Sequence, residues 1–300
     1  MRAITSRFWI MLCDNFRMLI VLGILTTMLT SCEKVIDIKL DEGTPQLAVD
    51  AFINNKPGTQ VIKLTITSGY FHNAPCPPAI GATVKITDTK GAVYNFVDYT
   101  GTGLYEWVPA VGDTLVKLAH SYILSITYNS QQYQATSIAF PVPKIDSLNY
   151  QYRKGNNPSA KEAYYVSFYA HDFKGIPDFY WVKGFRNGQA APPERITISQ
   201  DGGFGPGVDG LTFIVPIRQS INLDDGFQLG DTCAVEVHSL NPEIYFSFQQ
   251  LQIQIRNGGL FATPPANVST NIKNINLNSS VKAVGFFNIA MVATNGIKIK

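Results

Sequence analysis

Past residue 45 the hydrophobic and polar positions alternate in short runs. Leu47, Val49, Ala51 and Ile53 fall on one face, with Asp50 and Phe52 on the other, and Ile62, Leu64 and Ile66 oppose Val61, Lys63, Thr65 and Thr67. A period of two over such runs is the pattern of half-buried strands, and Asn54-Asn55-Lys56-Pro57-Gly58 between them predicts a hairpin. Further strands are predicted over 82–88, 93–99, 103–107 and 122–128, with Lys90-Gly91 and Gly101-Thr102-Gly103 as turns. Short strands at such regular spacing predict a sandwich.

At Phe140-Pro141-Val142-Pro143 each proline holds the residue before it extended, which makes a stiff connector and a domain boundary. Strand-like segments rich in Tyr, Phe and Val resume over 147–153, 163–170, 178–185, 211–217 and 233–239. The period shifts only between Asn241 and Asn257. There Asn241 is placed to cap a helix, Pro242 suits its first turn, Ile244, Phe248, Leu251 and Ile255 recur every three or four residues, and Gly258-Gly259 ends it. This apolar stripe is expected to pack on the second sheet. The tail from Asn271 through Ala290 supplies one or two last strands. The expected fold is mainly β: a sandwich over 45–140, then a second β-rich domain over 144–300 with one amphipathic helix near 242–257.

The N-terminus is of another kind. Arg2, Arg7 and Arg17 precede an apolar run from Met18 to Leu29, too short for the roughly 20 residues a membrane span needs and suited to a removable signal. The run ends in Leu29-Thr30-Ser31-Cys32, which resembles the bacterial lipobox. That motif implies cleavage after residue 31, acylation of Cys32, a tether over 32–44 and anchoring in outer-membrane lipid, with the body facing either the cell surface or the periplasm. The leader takes three arginines and Asp14 from totals of 24 basic and 22 acidic residues, leaving 21 of each and no formal net charge. With no basic stripe to neutralise phosphates, nucleic acid is not an expected partner. Aromatic residues at 12% and charged residues at 15%, against a usual charged fraction near 25%, fit large β surfaces.

Four cysteines are present. Cys13 leaves with the leader and Cys32 is the anchor, so Cys76, in a proline-rich loop, and Cys233 remain, either as a disulfide or as separate thiols. No Cys or His spacing suits a metal, and no cofactor fingerprint, nucleophile elbow or phosphate loop occurs. Of the histidines only His171 adjoins an acid, Asp172, and neighbours on a strand point to opposite faces. Two acidic glycine loops, Asp201 to Gly210 and Asp224-Asp225-Gly226, lack the spacing of a calcium loop. Phe179-Tyr180-Trp181 is expected to pack largely into a core. The loop from Ser68 to the prolines, with Tyr70, Phe71 and His72, is aromatic and stiffened, and is the candidate partner contact.

Residues 81–88, 103–105 and 121–126 resemble the immunoglobulin-like regulatory domains found beside carboxypeptidases and at the front of some TonB-dependent receptors. That likeness implies binding and bracing rather than catalysis. More broadly, the chain resembles a family of Bacteroidota lipoproteins known as domain of unknown function 4249. The carriers are residues 32–37, Leu47 to Ile53 leading to Gly69-Tyr70-Phe71, Pro75 to Pro78, Gly81-Ala82-Thr83-Val84, Pro264 to Ile272 and Ala283-Val284-Gly285-Phe286-Phe287. The resemblance implies an outer-membrane lipoprotein often encoded beside a TonB-dependent receptor, with no established activity and no catalytic residues to carry over. The leading expectation is a non-enzymatic accessory that helps such a receptor capture a nutrient. The alternatives are a structural or adhesion module of the envelope, and a peptide or glycan hydrolase, which requires acids or His171 to converge in a cleft of the second domain.

Overall fold

The computed structural model describes residues 43–69, 72, 74–154, 162–175, 177–204, 206–257 and 266–300. It is mainly β, as expected. The first strands, β1 (Leu47–Asn54) and β2 (Gln60–Ile66), form the predicted hairpin, burying Leu47, Val49, Ala51, Ile53, Ile62 and Leu64. They are followed by β3 (Thr83–Asp88), β4 (Val93–Phe96), β5 (Leu104–Trp107), β6 (Ser121–Tyr128) and β7 (Gln131–Ile138). Strand β7 was not foreseen, because its sequence QQYQATSI puts only Tyr133, Ala135 and Ser137 on the buried face. Asn129 and Ser130 close the β6–β7 hairpin with φ of 46° and 60°, the double positive φ of a type I′ turn.

These strands form two sheets around one core. Strands β1, β2 and β5 lie in one, and β7, β6, β3 and β4 in that order in the other, so the connections after β2, β4 and β5 cross between sheets. Near the start of β6, the Tyr122 hydroxyl donates to Leu115 O (3.1 Å) and accepts from Lys117 N–H (2.8 Å). This is the geometry of a tyrosine corner, a device of Greek-key sandwiches.

After Pro143 comes an antiparallel pair, β8 (Ile145–Arg153) and β9 (Ala163–Ala170), then β10 (Phe179–Arg186), β11 (Gln189–Ala190) and β12 (Thr197–Gln200). The stretch 211–217 is not the strand its composition suggests. Phe213 N–H bonds Ala170 O and Ile214 N–H bonds Gly202 O, two isolated contacts, and then a helix, α1 (Val215–Gln219), begins. Pro216 is the reason: it cannot donate to a ladder but suits a first helical turn. Strand β13 (Thr232–Ser239) pairs with β10, and α2 (Pro242–Arg256) matches the expected helix.

Helix α2 departs from expectation in two respects. Ile244 and Phe248 are buried, with Tyr245 beside them, but Ile255 is exposed, so the stripe covers only the first half. Asn241 stands at the N-cap without a side-chain cap bond. Its amide instead reaches Ser137 Oγ (2.7 Å) and Asn288 Oδ1 (3.1 Å), while its oxygen accepts from Ile138 N–H. The side chain thus ties the helix start to strands far away in sequence, which outweighs a local cap.

The last strands are β14 (Lys273–Asn274), β15 (Ala283–Ala290) and β16 (Val292–Lys298). They return the chain to both cores: β14 extends the β7 edge, β15 pairs in parallel with β1, and β16 joins β13. Ile272, Phe287 and Ile289 are therefore part of the first core, and Ile299 of the second. Between the two, Phe179, Ile198, Leu240, Ile244, Tyr245 and Phe248 form a third cluster against Phe52 and Phe286. A polar clip lies beside it. Buried Glu236 accepts from Lys56 Nζ of the first hairpin and from His238 Nε2 (2.8 Å), and Lys183 Nζ sits 3.6 Å over the Trp181 ring.

Candidate functional site

The walls of the site follow from the loop after β2. Ile66 N–H donates to Pro77 O and Ala79 N–H to Leu64 O, so the chain leaving β2 returns along it and proceeds into residues 80–84. There β3 pairs with β4, Val84 opposite Phe96, and residues 80–84 together with Asn95, Phe96, Val97 and Asp98 line a solvent-open cavity of about 480 Å³, as does Tyr105 of β5. The predicted contact loop thus runs directly into one wall.

Two ionisable groups line this cavity, and both are committed to its walls. The buried Tyr105 hydroxyl donates to Ala79 O (2.7 Å) and accepts from Ala82 N–H (2.9 Å), and burial pushes its pKa up. Asp98 Oδ1 accepts from Thr100 and Thr102 N–H (both 3.2 Å) and Oδ2 from Gly103 N–H (2.8 Å). Burial alone would raise the Asp98 pKa, but these backbone donors outweigh it and hold the carboxyl below its usual range. The other lining residues, among them Ile80, Thr83, Asn95 and Val97, carry no charge. Such a cavity suits recognition by shape; neither ionisable group is free to move a proton. Sequence reasoning passed over Asp98 and Tyr105. The signal was there in Asp98-Tyr99-Thr100-Gly101-Thr102-Gly103, an aspartate placed to accept from the turn that follows it.

Of the residues predicted from sequence, Cys32, Tyr70 and Phe71 lie outside the described residues. His72 is exposed and its N–H donates to Gly69 O (2.9 Å). Cys76 and Cys233 are both free thiols. Cys76 is on the surface with the Ser68 hydroxyl 3.9 Å from its sulfur, whereas Cys233 lies in the second core, where burial pushes its thiol up to about 12. The structure does not join them. His171 and Asp172 point apart, as strand neighbours should: His171 pairs with Asp146 (3.0 Å) at the surface, while Asp172 turns inward to the Tyr180 hydroxyl (2.7 Å). Phe179 and Tyr180 are buried, and Trp181 is half-buried against Phe52 and Phe248.

The two acidic loops have different fates. Asp224 and Asp225 pair with Arg195 and Arg186. Asp201, by contrast, accepts from Asp178 N–H (2.7 Å), and with Asp172 and Asp178 it places three buried carboxyls around Tyr180. Burial first, then the charges of Asp172 and Asp201, push Asp178 up to about 6. Asp178 borders a crevice of about 20 Å³ lined by Phe140, Pro141, Phe179 and Leu240. That holds about one water. No group of three or more His, Cys, Asp or Glu among the described residues is arranged to hold a metal ion.

Fold and site together define a mainly β protein with two cores joined by their C-terminal strands and an open cavity on the first. The family model for the domain of unknown function DUF4249 matches residues 33–295, and the chain belongs to that family. No curated protein matches it. Among the described residues no helix is long and apolar enough to cross a membrane.

Proposed function

We propose that this protein is a non-enzymatic accessory of the cell envelope, anchored in the outer membrane through lipid on Cys32, that assists a TonB-dependent receptor in nutrient capture. Its contact surface is the 68–78 loop together with the cavity beside it. The observation that carries this reading is the commitment of Asp98 and Tyr105 to the cavity walls, which leaves a preformed concave surface of main-chain and neutral groups. Such surfaces bind with little ordering cost. The lipobox supports the address, and the aromatic composition of the loop supports its role in contact. The test is affinity isolation of the detergent-extracted protein, with mass spectrometry of what accompanies it. A receptor in near-equal amount, reduced by Tyr70→Ser combined with Phe71→Ser and lost with Cys32→Ala, is the expected result. Its absence from the wild-type preparation overturns the reading.

A second reading, hydrolysis of a peptide or glycan, draws on one specific observation: Asp172, Asp178 and Asp201 converge, and burial with the neighbouring carboxylates pushes Asp178 up to about 6, the range of a general acid. The crevice beside it admits water but no substrate, so this reading ranks second. Hydrolysis of a peptide or glycan panel that disappears in Asp178→Asn would reverse the order.

A further inference from the structure

Two arginines at the outward face of β8 and β9 lie on aromatic rings. Arg153 lies over the Tyr165 ring, 5.1 Å from its centroid, and Arg218 of α1 lies 4.5 Å from that of Tyr169. Neither makes an ion pair among the described residues, whereas Arg186 and Arg195 do. The Arg218 side chain makes no hydrogen bond there either, and its Nε is buried without a partner. The one acid of β8, Asp146, is held by His171, and Glu162 at the start of β9 accepts from the Tyr152 hydroxyl. Two guanidinium groups therefore lie on aromatic rings with no carboxylate within ion-pair distance among the described residues.

Neutral donors and acceptors lie between. Gln219 Oε1 accepts from Arg153 (3.4 Å) while its Nε2 donates to Ser167 Oγ (3.2 Å), and Asn149 Nδ2 donates to the Tyr169 hydroxyl (3.2 Å). Tyr165 and Tyr169 are four residues apart on one strand, so they share a face with their Cα atoms about 13 Å apart. A stacked guanidinium keeps its edge for bidentate pairing with a carboxylate, and amides between two such forks suit the hydroxyls of a sugar ring. A lipid surface would be met instead by lysines among exposed apolar side chains.

We infer that this face, built from Arg153, Arg218, Tyr165, Tyr169, Gln219 and Asn149, binds an acidic oligosaccharide that carries carboxylates on separate sugars. The site lies on the second core, apart from the cavity on the first, so its failure leaves the proposed function standing. The experiment is titration of the full chain in detergent with oligogalacturonate, with a dextran oligomer as the uncharged comparison. Saturable, salt-sensitive binding of oligogalacturonate alone is expected. Arg218→Lys retains the charge but loses fork and stack, and should weaken binding about tenfold or more, as should Arg153→Gln. Gln219→Ala removes a neutral side chain between them and should also weaken it, which keeps the test open if an arginine variant fails to fold. The inference is overturned if oligogalacturonate does not bind, if Arg218→Lys binds as tightly as wild type, or if a polyglutamate peptide or phosphatidylglycerol vesicles compete equally well.

Discussion

Gly285 and Val49 stand opposite one another in the parallel pairing of β15 with β1, so close that a Cβ on Gly285 would lie 1.9 Å from the Val49 carbonyl oxygen. The backbone of Gly285 is also at φ +96°, outside what side-chain-bearing residues favour. Closure of the first core by the C-terminal strand depends on that missing methyl group. Gly285→Ala should therefore separate β15 from β1, expose Phe287 and Ile289, and destabilise the fold by about 3 kcal/mol or more. Gly91→Ala is the comparison: φ is +100° but no atom lies within 4 Å, so only backbone strain is incurred. Equal melting temperatures for the two variants would refute this account.

The carboxyls around Tyr180 set a pH dependence of definite sign. Asp178 has an ordinary value of 3.8 and is pushed up to about 6 in the fold, by burial first and then by Asp172 and Asp201. The folded protein therefore keeps a proton that the unfolded chain has released. The stability linked to this group is fully present below pH 4 and is lost as the pH rises through 6. Asp178→Asn removes the charge that forms there, and should raise stability at pH 7.5 by on the order of 2 kcal/mol while changing little at pH 4. Urea unfolding at the two pH values measures both; a variant less stable than wild type at pH 7.5 would contradict it.

The clip at Glu236 has the opposite sign. Burial alone would raise its pKa, but hydrogen bonds from His238 and Lys56 outweigh burial and bring it from 4.5 to about 2. His238 is itself lowered, by burial first, so the neutral imidazole donates Nε2–H to the carboxylate. The contribution of Glu236 is thus present above pH 4.5 and lost as the pH falls towards 2. Glu236→Gln should weaken the protein at neutral pH by about 1–2 kcal/mol, discounted because Lys56 is half exposed, and should flatten the acid limb of the stability profile. An unaltered acid limb in the variant would show that the clip does not act this way.

What the sequence made legible follows the strength of its periodicities. Leu47 to Ile53 and the Ile62, Leu64 pair declare their buried faces because every second residue is aliphatic. Strand β7 and the turn into α1 do not: one buries Tyr133, Ala135 and Ser137 in a polar segment, and the other is a Val/Ile-rich run redirected by Pro216. The return of residues 272–290 to the first core was hidden for another reason. Its partner, β1, lies more than 230 residues earlier, and no local pattern records a parallel pairing at that distance. The cavity was half legible. The proline-rich loop leading into it stood out by composition, whereas its walls depend on one tyrosine hydroxyl and one carboxylate bonding to main chain, and a sequence does not distinguish these from ordinary surface side chains.

The Tyr105 hydroxyl supplies the sharpest test of how that cavity is held. It both donates to Ala79 O and accepts from Ala82 N–H, so Tyr105→Phe leaves two main-chain groups without partners just ahead of β3. The cost should be about 1–3 kcal/mol, and it should be local, seen as faster hydrogen exchange at the Ala82 amide than at Tyr122 or Leu124 of β6. Tyr133→Phe is the control, because Tyr133 is equally buried but its hydroxyl makes no hydrogen bond among the described residues. If the hydroxyl holds the wall, the first variant loosens the cavity and the second leaves it unchanged. If both variants exchange alike at Ala82, the wall is held by the packing of the ring, and the cavity is a more plastic surface than the hydrogen bonds imply.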